Sequence, residues 1–120
     1  MLMEWTVLHH PAFDTEFEAL SHAVRIELLA ATGLLELSGP MLGRPHADTL
    51  SGSKHANMKE LRFTADDGVW RVAFAFDPER RAIVLVAGDK AGVAQKRFYK
   101  SLIAKADRRF TDHLDMLKGK

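Results

Sequence analysis

Two segments in the middle of the chain alternate between large apolar and charged residues, and a turn signal separates them. Met58-Lys-Glu-Leu-Arg-Phe63 sets Leu61 and Phe63 on one side, Glu60 and Arg62 on the other. Val69-Trp-Arg-Val-Ala-Phe-Ala-Phe76 sets Trp70, Val72, Phe74 and Phe76 against Arg71. Thr64-Ala-Asp-Asp-Gly68 reads as the turn of a β-hairpin. If the large apolar residues share the core face, parity pairs Phe63 with Trp70 and Leu61 with Val72. The same register sets Arg62 directly opposite Arg71. Like charges facing each other across a sheet repel, so the arrangement points to an anionic ligand. Lys90, near the end of the next strand, is expected on the same face.

The flanking segments limit the topology. Met3 to Leu8 is β-prone, and Pro11 suits the first turn of a helix. Phe13, Phe17, Leu20, Val24, Leu28, Ala31 and Leu35 keep helical spacing from Pro11 to Leu37, with a break near Ser21 that would make a helical hairpin. Ser38-Gly-Pro40 ends it. Met41 to Asn57 reads as loop, and Asp77 to Arg81 as a turn. Ala82 to Ala87 is a continuous apolar run, fit for a strand buried on both faces. Phe98, Leu102, Ala106, Phe110, Leu114 and Leu117 form the stripe of a last helix from about Val93 to Leu117. The expected fold class is α+β in the order β-α-α-β-β-β-α. Two N-terminal helices and a C-terminal helix pack on a small, mainly antiparallel sheet, as one domain over residues 1–120.

Charge narrows the chemistry. The net charge is only +1, yet residues 1–37 hold six acids against Arg25, a net of −5. Residues 95–120 hold eight bases against three acids, a net of +5. The chain is electrostatically polar along its length. It has no cysteine, which excludes disulfides and thiolate zinc sites. No apolar run is long enough to span a bilayer, so a cytoplasmic protein without a membrane association is expected. The six histidines are scattered without a metal-binding spacing, and no phosphate-binding glycine loop or serine nucleophile elbow occurs. Neither a metal nor a cofactor is expected.

An ordered set of residues resembles the RelE/ParE superfamily of bacterial toxins, in its HigB-like, phage-derived branch. It comprises Leu42-Gly-Arg-Pro45 with Leu50, Met58-Lys-Glu-Leu-Arg-Phe63, Trp70-Arg-Val72, Ala82-Ile-Val-Leu85 and Lys90. The tail Lys96-Arg-Phe-Tyr-Lys100, continuing to Asp107 and then Arg109 to Leu114, extends the likeness over nearly the whole chain. The resemblance implies a RelE-like toxin of a type II toxin–antitoxin system, an endoribonuclease that enters the ribosome and cuts mRNA. It also implies a helix-turn-helix antitoxin of the HigA or Xre type. Relatives often carry a lysine pair after the last strand, where this chain has Lys90 alone.

Metal-free RNA cleavage needs a base for the ribose 2′-OH, a stabiliser of phosphorane charge and an acid for the leaving 5′-oxygen. Arginine suits the second task, because its planar fork grips phosphate oxygens and stays ionised. Arg62 and Arg71 take that role. The proton-transfer candidates are Lys90, Lys54 and His55, with His46 beside them. Lys59, Lys96, Arg97, Tyr99 and Lys100 are the candidates for holding RNA or the ribosome; Tyr99 could instead pack at the edge of its helix. His9, His10 and His22 read as structural, and His113 reaches the site only if the last helix crosses the sheet. Two other functions stay open: a ParE-like inhibitor of DNA gyrase without nuclease activity, and an inactive RNA-binding relative kept for operon regulation.

Overall fold

The computed structural model describes residues 4–119. Met3, the expected start of the first strand, and Lys120 lie outside them. The elements run β1 (Val7–His9), α1 (Pro11–Glu18), α2 (His22–Ser38), a 3-10 turn (Gly39–Met41), β2 (Ala47–Thr49), β3 (Met58–Ala65), β4 (Gly68–Phe76), β5 (Ala82–Asp89) and α3 (Gln95–Lys118). The strands form one five-stranded sheet in the order β1-β5-β4-β3-β2. Among the described residues only the β1–β5 pair is parallel. The α+β class, the two N-terminal helices and the C-terminal helix agree with expectation. One element corrects it: Ala47–Thr49, assigned to loop, pairs antiparallel with Leu61, Glu60 and Lys59.

Both faces of the sheet are covered. Phe13, Leu28, Ala31 and Leu35 from the N-terminal helices pack on Leu61, Val72, Phe74 and Val84. Phe98, Leu102, Ala106 and Phe110 of α3 pack on Met58, Ala73, Ala75, Ile83 and Leu85. The alternation in β4 thus separates large residues under α1 and α2 from small ones under α3. Ser21 divides the helical hairpin because its hydroxyl accepts from the Val24 amide and caps α2.

The β3–β4 hairpin turns on Asp66 and Asp67, both at positive φ (50° and 59°). Two such residues make the primed turn whose twist matches the strands it joins. It fixes the register: Phe63 lies opposite Trp70, Leu61 opposite Val72 and Arg62 opposite Arg71. β5 departs from regularity. Ala73 pairs with Val86 but Phe74 pairs with Val84, leaving Leu85 as an extra residue in a bulge. Leu85 and Val86 therefore both face α3, and Gly88 follows them there: a Cβ on it would meet the Phe98 ring at 2.9 Å. The Leu85 carbonyl accepts from the Arg109 guanidinium at 2.8 Å, and Arg109 grips Glu16 of α1 through two further bonds.

Candidate active site

The Arg62–Arg71 pair is of the closer kind. The Arg62 amide donates away from β4, to the His46 carbonyl at 2.9 Å. Its pair with Arg71 is consequently non-hydrogen-bonded, the geometry with the shortest side-chain approach, about 4.5 Å between Cα atoms. Two guanidinium groups at that spacing need an anion between them. In the free chain Glu60 supplies it, from the same strand and face as Arg62. Glu60 is only 3% exposed. Its Oε2 takes a bond from Arg62 Nη1 at 2.7 Å, and Oε1 lies 4.0 Å from Arg71 Nε. The Tyr99 hydroxyl, delivered by the first turns of α3, donates to Glu60 Oε1 at 2.9 Å and accepts from Arg71 Nε at 3.2 Å. Arg71 also donates to the Trp70 carbonyl.

Lys90 closes the group, its ammonium 5.9 Å from the centre of the Tyr99 ring. Burial pushes its pKa below the ordinary lysine value, and the nearby Arg71 and Arg62 push it the same way. Burial raises the Tyr99 phenol, and its bond to Glu60 adds to this. Three cations face one carboxylate, leaving a surplus of two positive charges. Arg62, Lys90, Glu60 and Tyr99 border an open cleft of about 770 Å³ that also includes Arg44, Asp48, Thr49, Leu50, Ser51, Gln95 and Lys96, while Arg71 lies buried behind them. Arg44 is tied to Asp48 by bonds of 2.8 and 2.9 Å, which lower the Asp48 carboxyl. The cleft offers phosphate-sized positive charge at its edge and, at Lys90, a base that loses its proton more readily than an ordinary lysine.

The structure thus brings Arg62, Arg71, Lys90, Tyr99 and Lys96 to one place. It does not bring Lys54 or His55 there. The Ser53 hydroxyl and the Lys54 amide both bond to Asp107, pinning their loop to the far half of α3. His55 Nε2 meets the Thr111 hydroxyl at 3.0 Å, and its ring stands edge-on to Phe110. Thr111 is twelve residues beyond Tyr99, about 18 Å along a helix axis. Lys54 and His55 therefore leave the proton-transfer set. Lys59 lies on the opposite sheet face, donating to the Pro40 carbonyl at 3.3 Å. His46 is exposed just before β2, and Lys100 is exposed on α3. Arg97 borders a different groove, beside β5. His113 is buried against Asp77 at 2.9 Å, and His10 caps α1. Among the described residues no group of three His, Asp or Glu side chains is placed to hold a metal ion.

Two features of the cleft were missed. Parity puts Glu60 on the same face as Arg62, but the sequence reading gives it no part in the site. Arg44 lies within the Leu42–Pro45 run but carried no role.

Residues 15–111 match the family described as "Phage derived protein Gp49-like". The putative toxin HigB3 of Mycobacterium tuberculosis is 46% identical over 99 residues, covering 82% of this chain and 84% of that protein. The putative toxin HigB2 of the same organism is 48% identical over 88 residues. That match covers 72% of this chain and 43% of HigB2, so the chain spans less than half of that relative. A mutant of the E. coli toxin RelE in the free state superposes with a TM-score of 0.59 over 86% of this chain and 97% of that one. At 16% identity it shares the fold.

Proposed function

The chain belongs to the phage-derived Gp49-like family, a HigB-like branch of the RelE superfamily, and from that premise we propose that it is the toxin of a toxin–antitoxin pair that stops translation by cutting mRNA on the ribosome. The observation that carries this reading is the opposed Arg62–Arg71 pair, with Arg62 and Lys90 at the cleft edge and Arg71 buried behind them. The Glu60 carboxylate swings aside, and a scissile phosphate entering from the cleft takes its place between the two guanidinium groups. The 2′-oxygen attacks phosphorus, the 5′-oxygen leaves, and a 2′,3′-cyclic phosphate and a free 5′-hydroxyl result. Arg62 and Arg71 hold the charge that gathers on the phosphorane. Lys90, neutral in a larger fraction of molecules than an ordinary lysine, takes the 2′ proton. Tyr99 retains its proton and lies beside Arg71, where it can donate to the leaving oxygen. Lys96 and Arg44 extend the grip along the backbone. The chemistry needs no metal. The partner is a helix-turn-helix antitoxin, and the site of action is the cytoplasmic ribosome.

Primer extension on mRNA from a translating extract tests the reading. Added protein should produce cuts within translated frames and none in untranslated RNA. Arg71→Ala should lower the cleavage rate by about 10²–10³-fold, the usual loss on removing one preorganised stabiliser of developing charge. Intact transcripts with the unaltered protein, or an undiminished rate with Arg71→Ala, would sink the proposal.

A further inference from the structure

α2 carries two apolar faces, and the fold covers one of them. Leu28, Ala31 and Leu35 belong to the core beneath the sheet, with Val24 buried in line with them. On the opposite side Ile26, Leu29, Ala30, Gly33 and Leu37 recur at helical spacing. Ile26, Leu29 and Leu37 are each half or more exposed, and so is Met41 just past the helix end. A helix that is apolar on both sides is ordinarily covered on both. No atom lies within 4 Å of where a Cβ on Gly33 would stand. With Ala30 beside it, the middle of the stripe admits a second backbone at close range.

The charges along the rim indicate what covers the stripe. Arg25 and Glu36 are just over three helical turns apart, so they share one flank. Among the described residues neither side chain makes an ion pair, and Arg25 Nε is enclosed without an acceptor. Two α2 helices laid antiparallel about a twofold axis set each flank against the same flank of the other copy. The register that pairs Ile26 with Leu37 also sets Ala30 against Gly33. It leaves Arg25 of one copy and Glu36 of the other about 3 Å apart along the axis. Glu27 lies on the far flank, where the same register holds its two copies about 13.5 Å apart along the axis. We infer that this face of α2 is a homodimer interface, an apolar seam closed at each end by a reciprocal Arg25–Glu36 ion pair. A partner of one charge sign would answer one of these residues and repel the other, whereas a second copy answers both. The cation cleft lies on the other face of the sheet, beside α3, so both clefts stay open in the pair.

Sedimentation equilibrium of the purified chain over a concentration series is the measurement. The average mass should climb from 13.4 kDa towards twice that value. The expected dissociation constant is on the order of 10 μM, as suits an interface of small area. Leu29→Lys places an ammonium group in each half of the seam and should weaken the pair about tenfold or more. Arg25→Glu alone, or Glu36→Arg alone, puts like charges face to face and should weaken it about tenfold. The chain carrying both exchanges should regain the parent's affinity, and the two single variants should pair with each other in preference to themselves. Such recovery separates reciprocal pairing from a loss of folding. A chain still monomeric about tenfold above the expected constant overturns the inference, as does a dimer indifferent to Leu29→Lys and to both reversals. A monomeric chain whose Leu29→Lys variant no longer binds the protein of the adjoining frame assigns the face to that partner and overturns it too. The inference does not rest on the toxin reading: mRNA cleavage is read separately and should be unchanged in Leu29→Lys.

Discussion

At the scale of single residues, Glu60 sets the character of the site. A buried carboxylate between two arginines holds both guanidinium groups in place in the free chain. Glu60→Gln should therefore destabilise the free chain by about 1–3 kcal/mol, because the buried guanidinium groups lose their countercharge and one of its two acceptor oxygens. Sulfate should restore part of that loss in denaturant titrations. A variant as stable as the parent, with no response to sulfate, would show that Glu60 does not hold the pair. Lys90 gives a second prediction. Its depressed pKa means that the neutral, proton-accepting form gains ground as pH rises, beginning below the ordinary lysine value. The cleavage rate should rise with pH over that range, and Lys90→Arg, which keeps its charge throughout, should abolish the rise. The opposition of Arg62 and Arg71 was legible because apolar parity and a short turn leave one register. The fate of Lys54 and His55 was not, because position in a loop says nothing of where that loop is fastened. The anchor, Asp107, lies more than fifty residues away.

At the scale of elements, the hairpin and the three helices were readable from periodicity, and the division of the helical hairpin from Ser21 alone. β2 escaped notice because three residues among glycines, prolines and serines carry no alternation to count. The bulge in β5 escaped for the opposite reason: an unbroken apolar run has no phase to lose. Gly88 shows what the bulge achieves. It sits beside Arg71 and faces α3, and the absent side chain lets the Phe98 ring close over the strand. Gly88→Ala should cost about 1–3 kcal/mol through overpacking, read as a lower midpoint in urea. Tyr99, one residue along from Phe98, should shift with the helix, so cleavage should weaken in the same variant. Unchanged stability would mean that α3 tolerates displacement there.

At the scale of the whole molecule, the charge polarity read from the sequence becomes a division between layers, with the acidic N-terminal helices on one face of the sheet and the basic α3 on the other. Arg109 crosses from one to the other, binding Glu16 of α1 and the Leu85 carbonyl of β5. In composition it is one of the eight bases of residues 95–120. Its side chain is in fact only 14% exposed, a placement no helical periodicity could supply. β5 contains one more residue than its ladder uses, and Arg109 marks the spot where the surplus is stored. Without that clasp the surplus is free to travel, and a strand that slips by a single step turns every later side chain to the opposite surface. Lys90 would then point towards the N-terminal helices rather than into the cleft. Arg109→Met should accordingly silence cleavage in a chain that still folds, although the substituted position lies about 15 Å along the helix from Tyr99. Full activity in that variant would show that the strand keeps time by other means.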